Sequence, residues 1–279
     1  MQGANPGTTL GPIAFGVISN AIFAALLWGG NRLFVKPGRR NPIYRRRRLL
    51  SMVGLWFGSI LIVFFAIPGT LPYFFTVSLI VVGVVVGNEL NQFWKIGLVG
   101  ADPEVKTGID YITALGMCKN ALDFLGIGAA KLTEHQKEFR DAIDCCNRSD
   151  KPVRLLLCRP DASGLERIAR MARRDSESYK QTVSESLRFI AKLRNEEHKN
   201  ISVRLYGELP AFRLMFINEA ICLMSYNVFG KGDGSNLPQL HIIKTTEDRD
   251  VDSLYFGFAA YFGKLWEDSA EWNFQDFLM

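Results

Sequence analysis

Three long apolar segments, interrupted by one strongly basic loop, constrain the fold of this chain more than any other feature. They run over about 12–35, 49–67 and 71–92. A helix rises about 1.5 Å per residue, so each segment is long enough to cross a hydrocarbon core about 30 Å thick. The sequence therefore predicts a transmembrane domain of three helices over residues 1–94.

The basic loop predicts how such helices are oriented. The stretch "VKPGRRNPIYRRRR" at 35–48 contains seven Lys/Arg residues and no acid. Loops of this kind stay on the cytoplasmic side of a membrane. The uncharged side chains of residues 1–12 favour translocation, and three spans then place the rest of the chain in the cytoplasm. The alternative interpretation of the arginine run is a nucleic-acid patch, which the flanking apolar segments disfavour.

Charge divides the chain into two unlike parts. Residues 1–100 hold nine Lys/Arg and one acid, whereas the remainder holds 24 Lys/Arg and 27 Asp/Glu. The basic character thus belongs to the first third, which argues against a chain that binds nucleic acid over its whole surface. The five cysteines show no C-x-x-C spacing, so we expect reduced thiols and predict no metal site and no cofactor.

A few polar side chains interrupt the apolar segments. They are Asn20, Asn31, Asn88 and Glu89. An asparagine in a span commonly makes a helix–helix hydrogen bond. The alternative is that these groups face a water-filled path, because polar groups are costly at bilayer depth. Three helices cannot enclose a pore, so a pore lined by these residues requires an oligomer.

Residues 95–119 are expected to form a neck, and residues 120–279 an α/β domain with a mixed sheet. Strand-like and helix-like patterns alternate beyond the neck. The predicted strands are 120–128, 152–160, 201–206, a hairpin around Asn218 and 237–244, and the predicted helices are 133–148, two over 161–197 and one over 250–272. The first of these helices has Thr133 as its expected N-cap.

Residues 120–245 resemble one half of a phospholipase D superfamily domain. The signature of that family is His-x-Lys-x4-Asp on a strand, followed by an apolar strand ending in Gly/Ser-x-Asn. In this sequence Ala211, Arg213 and Asn218 occupy the His, Lys and Asp positions. Ser225 and Asn227 stand where the family has Ser and Asn. The resemblance implies an α/β sandwich built around a phosphodiester site.

The departures from the signature predict that the domain is not an enzyme. The family mechanism needs a histidine nucleophile and a second histidine as general acid. Alanine cannot attack phosphorus, and an arginine does not exchange protons near neutral pH. The alternative is a membrane-anchored phosphodiesterase or nuclease that uses other residues.

The groups that remain suit binding of an anion. Arg213 keeps a cation with a bidentate fork at the lysine position. The small-residue turn "GIGAAK" at 126–131 is a further candidate for holding phosphate. The predicted ligand-binding residues are Lys131, Arg159, Arg204, Arg213, Asn218, Ser225, Tyr226 and Asn227. For the arginines the alternative is a solvated or acid-paired side chain, and for Tyr226 it is core packing.

Spans joined to a binding domain resemble the membrane effectors of bacterial antiphage defence, with the Hailong-type channel effectors as the nearest family. The resemblance implies a homo-oligomeric ion channel, a tetramer by expectation, in the bacterial inner membrane, with a periplasmic N-terminus and a cytoplasmic C-terminal domain. It also implies membrane lipids as partners and a gating nucleotide or short oligonucleotide made by a nucleotidyltransferase, leading to abortive infection. A passive membrane anchor for a partner protein is a further alternative.

Overall fold

The computed structural model describes residues 83, 87, 90–171, 175–208, 210–226, 234–245 and 253–274. Within these residues no helix is both long enough and apolar enough to cross a membrane. The spans predicted over 12–35 and 49–67 lie outside the described residues, as does most of 71–92. The expected fold class, a transmembrane region plus an α/β domain, is therefore corrected to an α/β domain with a mixed sheet.

Eight strands form one sheet in the order β1-β7-β6-β5-β2-β3-β4-β8. β2, β3 and β4 are parallel, and the other neighbouring pairs are antiparallel. The strands are β1 (Leu98–Asp102), β2 (Leu122–Gly126), β3 (Val153–Cys158), β4 (Ile201–Tyr206), β5 (Phe212–Ile217), β6 (Ile221–Tyr226), β7 (Gln239–Ile243) and β8 (Ala270–Glu271).

Six labelled helices and two 3-10 turns connect the strands. The helices are α1 (Tyr111–Gly116), α2 (Ala130–Thr133), α3 (Gln136–Arg148), α4 (Ser163–Met171), α5 (Ser176–Asn195) and α6 (Leu254–Asp268). The 3-10 turns are η1 (Val105–Thr107) and η2 (Gly234–Asn236). Residues 90–95 form a further helical segment ahead of β1.

Side-chain hydrogen bonds fix several helix starts. Asp110 caps α1 by accepting a hydrogen bond from the Thr113 amide, at 2.8 Å. Asp175 caps α5 by accepting from the Ser178 amide, also at 2.8 Å. Such caps satisfy amides that have no partner within the helix. The expected Thr133 cap is wrong, because Thr133 ends α2 and His135 precedes α3.

Helices cover the two faces of the sheet. On one face α1 packs against α3, and α3 packs on β2 and β3. On the other face the rings of α6 meet alternate residues of β5. The ring centroid of Phe216 lies 5.6 Å from that of Tyr255 and 5.8 Å from that of Phe262, and both pairs have edge-to-face geometry. Such pairs add roughly 0.5–1.5 kcal/mol each to the burial of apolar surface, so α6 is a structural cover, as its aromatic sequence predicts.

The segment expected to be a neck is part of the domain. β1 pairs with β7 along the edge of the sheet, and the side chains of Val105, Ile109 and Leu115 are buried in the common core. The glycines and charges of 95–119 interrupt any regular pattern, which is why the sequence predicted a linker. The short β1 and α1 are stabilised by tertiary contacts rather than by their own periodicity.

Candidate functional site

The carboxyl edge of the sheet is the edge at which the parallel strands β2, β3 and β4 end. β5 is antiparallel to β2, with Leu214 opposite Leu125. The start of β5 and the end of β6 therefore lie at this same edge, where Arg213 and Ser225 are directly opposite each other. In open α/β sheets the carboxyl ends of parallel strands are the usual place for a ligand.

Arg213 is half-buried at this edge. Its Nη2 donates a hydrogen bond to the Gly234 carbonyl at 3.0 Å, and its Cζ lies 5.6 Å from the centroid of the Tyr111 ring. Among the described residues no carboxylate forms an ion pair with it. Most of its five N–H donors thus have no protein acceptor in this part of the chain.

Gly234 allows this close approach. A Cβ atom at that position would lie 2.5 Å from Nη1 of Arg213, so any larger residue would displace the guanidinium. Beneath Arg213 lies a cavity of about 10 Å³, bordered also by Tyr111, Met215 and Gln239. This volume holds roughly one water molecule. An anion must therefore reach the guanidinium from the solvent side rather than from within the sheet.

Ala211 precedes β5 and is exposed. It is the residue at the nucleophile position of the resembled signature. The side chain of His241 is 2% exposed, and its Nε2 lies 2.8 Å from Oδ2 of Asp102 without the alignment of a hydrogen bond. Burial in that position keeps the imidazole away from solvent.

Asn218 lies at the opposite end of β5, in the tight turn that joins β5 to β6. It lies five positions after Arg213, or about 17 Å away along an extended strand. Its Oδ1 accepts hydrogen bonds from the amides of Lys119 and Asn120, at 2.6 and 3.1 Å, and its Nδ2 donates to the Met117 carbonyl at 2.8 Å. The structure does not bring Asn218 together with Arg213.

Two other predicted residues lie on β6, the strand that pairs with β5 in the hairpin. Ser225 is buried, and its hydroxyl donates to the Pro238 carbonyl at 2.8 Å. Tyr226 is 45% exposed at the end of β6, which leaves its ring accessible for stacking on a base. Asn227 lies outside the described residues. The carboxyl edge therefore holds Arg213 and Tyr226 with accessible surface and Ser225 in a structural role.

The small-residue turn at 126–131, a predicted phosphate contact, packs against α5. A Cβ atom on Gly128 would lie 3.0 Å from a methyl carbon of Val183, and the Ala129 amide donates to the Ser186 hydroxyl at 3.4 Å. The helix that follows has only four residues. Lys131 lies on that helix and pairs with Glu134 at 3.1 Å.

The remaining predicted arginines have partners within the protein. Arg159 follows β3 at the carboxyl edge and donates from Nε to Oδ1 of Asp161 at 2.9 Å. This exposed pair lowers the pKa of the Asp161 carboxyl below its ordinary value. Arg204 lies on β4, donates to the Trp266 carbonyl at 2.6 Å, and has its Cζ 5.1 Å from the centroid of the Trp266 ring.

The pore and gate candidates Asn20, Asn31, Asn88 and Glu89 all lie outside the described residues. Within the described part, no cluster of three or more His, Cys, Asp or Glu side chains has the arrangement of a metal site.

A polar row along the sheet was not predicted from the sequence. Gln239 donates from Nε2 to the Ile109 carbonyl at 2.9 Å, and Asp102 accepts from the Ile109 amide at 2.7 Å. Asp102 is opposite Gln239 in the β1–β7 pairing, so the two side chains hold the same backbone segment ahead of α1. The alternation of polar and apolar residues in "QLHII" is the signal that places Gln239 and His241 on one face.

No protein-family model matches the chain, and no characterised protein matches its sequence significantly. Several solved structures are similar to it in part, among them TrmBL2 and Nuc. TrmBL2, an archaeal chromatin protein described as showing a novel mode of DNA binding, has 11% identity and a TM-score of 0.39 over 70% of this chain and 64% of its own. The chain thus spans less than two thirds of the length of TrmBL2.

The second is Nuc from Salmonella typhimurium, a phospholipase D family member. It has 11% identity and a TM-score of 0.35 over 62% of this chain and 95% of its own. The predicted likenesses to the phospholipase D family and to antiphage membrane effectors both stay predictions.

Proposed function

We propose that the domain binds a phosphodiester ligand, a nucleotide or a short oligonucleotide, without cleaving it. The observation that carries the proposal is the position of Arg213. This arginine is half-buried at the carboxyl edge, and no carboxylate among the described residues is paired with it. An arginine left in this state has the planar donor fork that matches two phosphate oxygens.

The surroundings of Arg213 favour a fixed orientation over a mobile one. The Gly234 carbonyl accepts a hydrogen bond from one side of the guanidinium, and the Cζ atom of Arg213 lies 5.6 Å from the centroid of the Tyr111 ring. Because these contacts restrict the side chain before any ligand arrives, less side-chain entropy is lost on binding. The arrangement is that of a preorganised anion contact.

The absence of cleavage is proposed from the residue at the nucleophile position. Covalent attack on phosphorus needs a nucleophilic side chain within reach of the phosphate. Ala211 offers a methyl group there, and the buried His241 lies beside Asp102 on β7. A site with one fixed cation and with no titrating nucleophile among its described residues should bind an anion and leave it intact.

A ligand longer than one phosphate has further groups available along the carboxyl edge. Arg159 follows β3, which lies two strands from β5, or about 10 Å away at the usual strand spacing. Tyr226 ends β6, next to β5, with an exposed ring. These placements favour a ligand with more than one phosphate and at least one base.

The proposal concerns this domain alone. The wider expectation, in which ligand binding gates an ion channel in antiphage defence, depended on residues 1–94.

Fluorescence anisotropy with labelled dinucleotides to pentanucleotides tests the proposal. We expect the purified full chain to bind at least one of these oligonucleotides, and Arg213→Ala to weaken its affinity by at least about tenfold, as for a lost charged hydrogen bond. Arg204→Ala is the matched control, because it removes an arginine that already bonds the Trp266 carbonyl. Its affinity should stay within about threefold of the wild type.

Electrophoresis of the same samples tests for cleavage. The account expects every oligonucleotide to remain full-length after prolonged incubation. Equal affinity in wild type and Arg213→Ala would refute the assignment of the site. Cleavage that disappears in Arg213→Ala would instead establish the phosphodiesterase alternative.

A further inference from the structure

Two cysteine thiols meet between α1 and α3. The Sγ atoms of Cys118 and Cys146 lie 3.3 Å apart, and both side chains are buried. A disulfide needs an S–S distance of about 2.05 Å, so the two sulfurs need to approach by only about 1.3 Å. The pair connects the residues just after α1 to the last turn of α3, 28 positions further along the chain.

The loop that carries Cys118 is held in place by Asn218, which lies in the turn between β5 and β6. The Asn218 side chain bonds the Met117 carbonyl and the amides of Lys119 and Asn120, which bracket Cys118 in the sequence. Lys119 and Asn120 are exposed, so the thiol pair lies directly beneath a surface turn. Cys118 is 4% exposed and Cys146 is fully buried, and the Asn218 bonds hold the backbone on both sides of Cys118 in place.

The two thiols are chemically unequal. The hydrogen bond between the two thiols, together with burial, raises the pKa of Cys118, whereas the same hydrogen bond lowers the pKa of Cys146. The directions of these two pKa shifts favour Cys146 over Cys118 as the sulfur that loses its proton. A thiolate beside a thiol is the arrangement from which a disulfide forms in two steps.

We propose that Cys118 and Cys146 are a site of reversible oxidation, at which hydrogen peroxide converts the two thiols into a disulfide that ties α1 to α3. In the first step the Cys146 thiolate attacks the peroxide, the O–O bond breaks, and a sulfenic acid and hydroxide form. In the second step the Cys118 sulfur attacks the sulfenic sulfur, the S–O bond breaks, and the Cys118 proton leaves as water.

The electrons balance across the two steps. Each sulfur loses one electron, and the peroxide takes up both as it is reduced to one water and one hydroxide. A dithiol reductant reverses the change by thiol–disulfide exchange. The inference does not depend on the proposed phosphodiester ligand, since no ligand takes part in either step.

Cys145 offers a competing route that the experiment must separate. It is half-exposed, and its Sγ lies 3.1 Å from Nη2 of Arg148. Oxidation that stops at Cys145, or that joins Cys145 of two molecules, would not tie α1 to α3. Cys222 is buried, and within the described part of the chain it makes no hydrogen bond to another thiol, which makes it the matched control.

Peptide mapping of the purified full chain tests the proposal. The protein is treated with hydrogen peroxide, its free thiols are blocked, and it is digested without reductant. We expect a cross-linked peptide pair joining Cys118 to Cys146, a mass loss of about 2 Da, and a rise in Tm of roughly 5–10 °C. Dithiothreitol should abolish all three changes.

The variants separate the possible routes. Cys146→Ser and Cys118→Ser should show no cross-link and no rise in Tm, whereas Cys222→Ser and Cys145→Ser should retain both. The proposal would be overturned if wild-type protein under peroxide gave only oxidised or intermolecularly linked Cys145. A Cys146 sulfinic acid without the Cys118–Cys146 peptide would overturn it equally. Because the decisive peptide is sought in wild-type protein, a variant that fails to fold leaves the test intact.

Discussion

At the turn end of the β5–β6 hairpin, both polar atoms of the Asn218 side chain are hydrogen-bonded to backbone groups. At the open end, the guanidinium of Arg213 bonds one carbonyl and has no carboxylate beside it among the described residues. In the phospholipase D signature, the two residues occupy the Lys and Asp positions, which are five positions apart. A sequence motif thus predicts where residues lie along a strand. The groups around each end of the strand determine whether a side chain bonds within the protein or stays accessible to a ligand.

Asn218→Ala should produce the largest loss of stability. The substitution removes three hydrogen bonds to backbone groups. It also puts alanine at a φ of 57°, a left-handed conformation that asparagine tolerates better. Together these effects amount to roughly 3 kcal/mol in the free energy of unfolding. Urea denaturation measures the change.

Asn218→Asp is the control for that prediction. It keeps the acceptor oxygen and the tolerance for positive φ but loses the bond to the Met117 carbonyl, so it should cost about 1 kcal/mol. Folded Asn218→Ala protein should bind oligonucleotides as tightly as the wild type. A large loss of affinity with little loss of stability would place Asn218 in the binding site and break the comparison.

Arg204→Ala should have the next largest effect, on stability alone. The guanidinium donates to the Trp266 carbonyl and stacks on the Trp266 ring. Loss of both contacts should lower the free energy of unfolding by roughly 2 kcal/mol. Arg170, which is exposed on α4, supplies the control, because Arg170→Ala should change stability by less than about 0.5 kcal/mol. Equal effects of the two variants would refute a structural role for Arg204.

Asp161→Asn should have a smaller effect, on binding. It removes the carboxylate that pairs with Arg159 at the carboxyl edge. A released Arg159 and one less negative charge near the ligand should raise affinity for an oligonucleotide roughly two- to fivefold, and more at low salt. Titrations at two salt concentrations measure this. An unchanged affinity would remove Arg159 from the proposed ligand contacts.

Change of pH should have the smallest effect. The ion pair with Arg159 lowers the pKa of Asp161, so any stability from that pair is present above the ordinary carboxyl pKa and is lost only as pH falls below it. Arginine stays protonated throughout. Affinity for an oligonucleotide without terminal phosphates should therefore vary by less than about twofold between pH 5 and 8. A transition near pH 6.5 would indicate a histidine in the site instead.

The sequence predicted the regular elements of the domain well and the roles of its polar residues less well. Strands β3 and β4 were predictable because each is a short, largely apolar run bounded by turn residues, and the structure confirms both. The sequence predicted a neck where the structure has β1, η1 and α1. This segment is ordered by the pairing of β1 with β7 and by polar contacts to Ile109. Sequence spacing carries no information about such distant partners.

The site shows the same division. The position of Arg213 at the start of a strand followed from its motif, whereas the bonds that hold Asn218 come from residues about 100 positions earlier. The contacts of Arg204 with Trp266, 62 positions away, were equally invisible. Local pattern thus predicted which strand carries each residue, and only the packed structure showed which side chains bond within the protein.

Hydrogen–deuterium exchange with and without a bound oligonucleotide tests most directly which end of the hairpin holds the ligand. The account predicts slower exchange at the open end, in 212–214 and 224–226, and unchanged exchange across the turn, in 216–222. Slower exchange confined to the turn, or no change at the open end while the oligonucleotide is demonstrably bound, would contradict it.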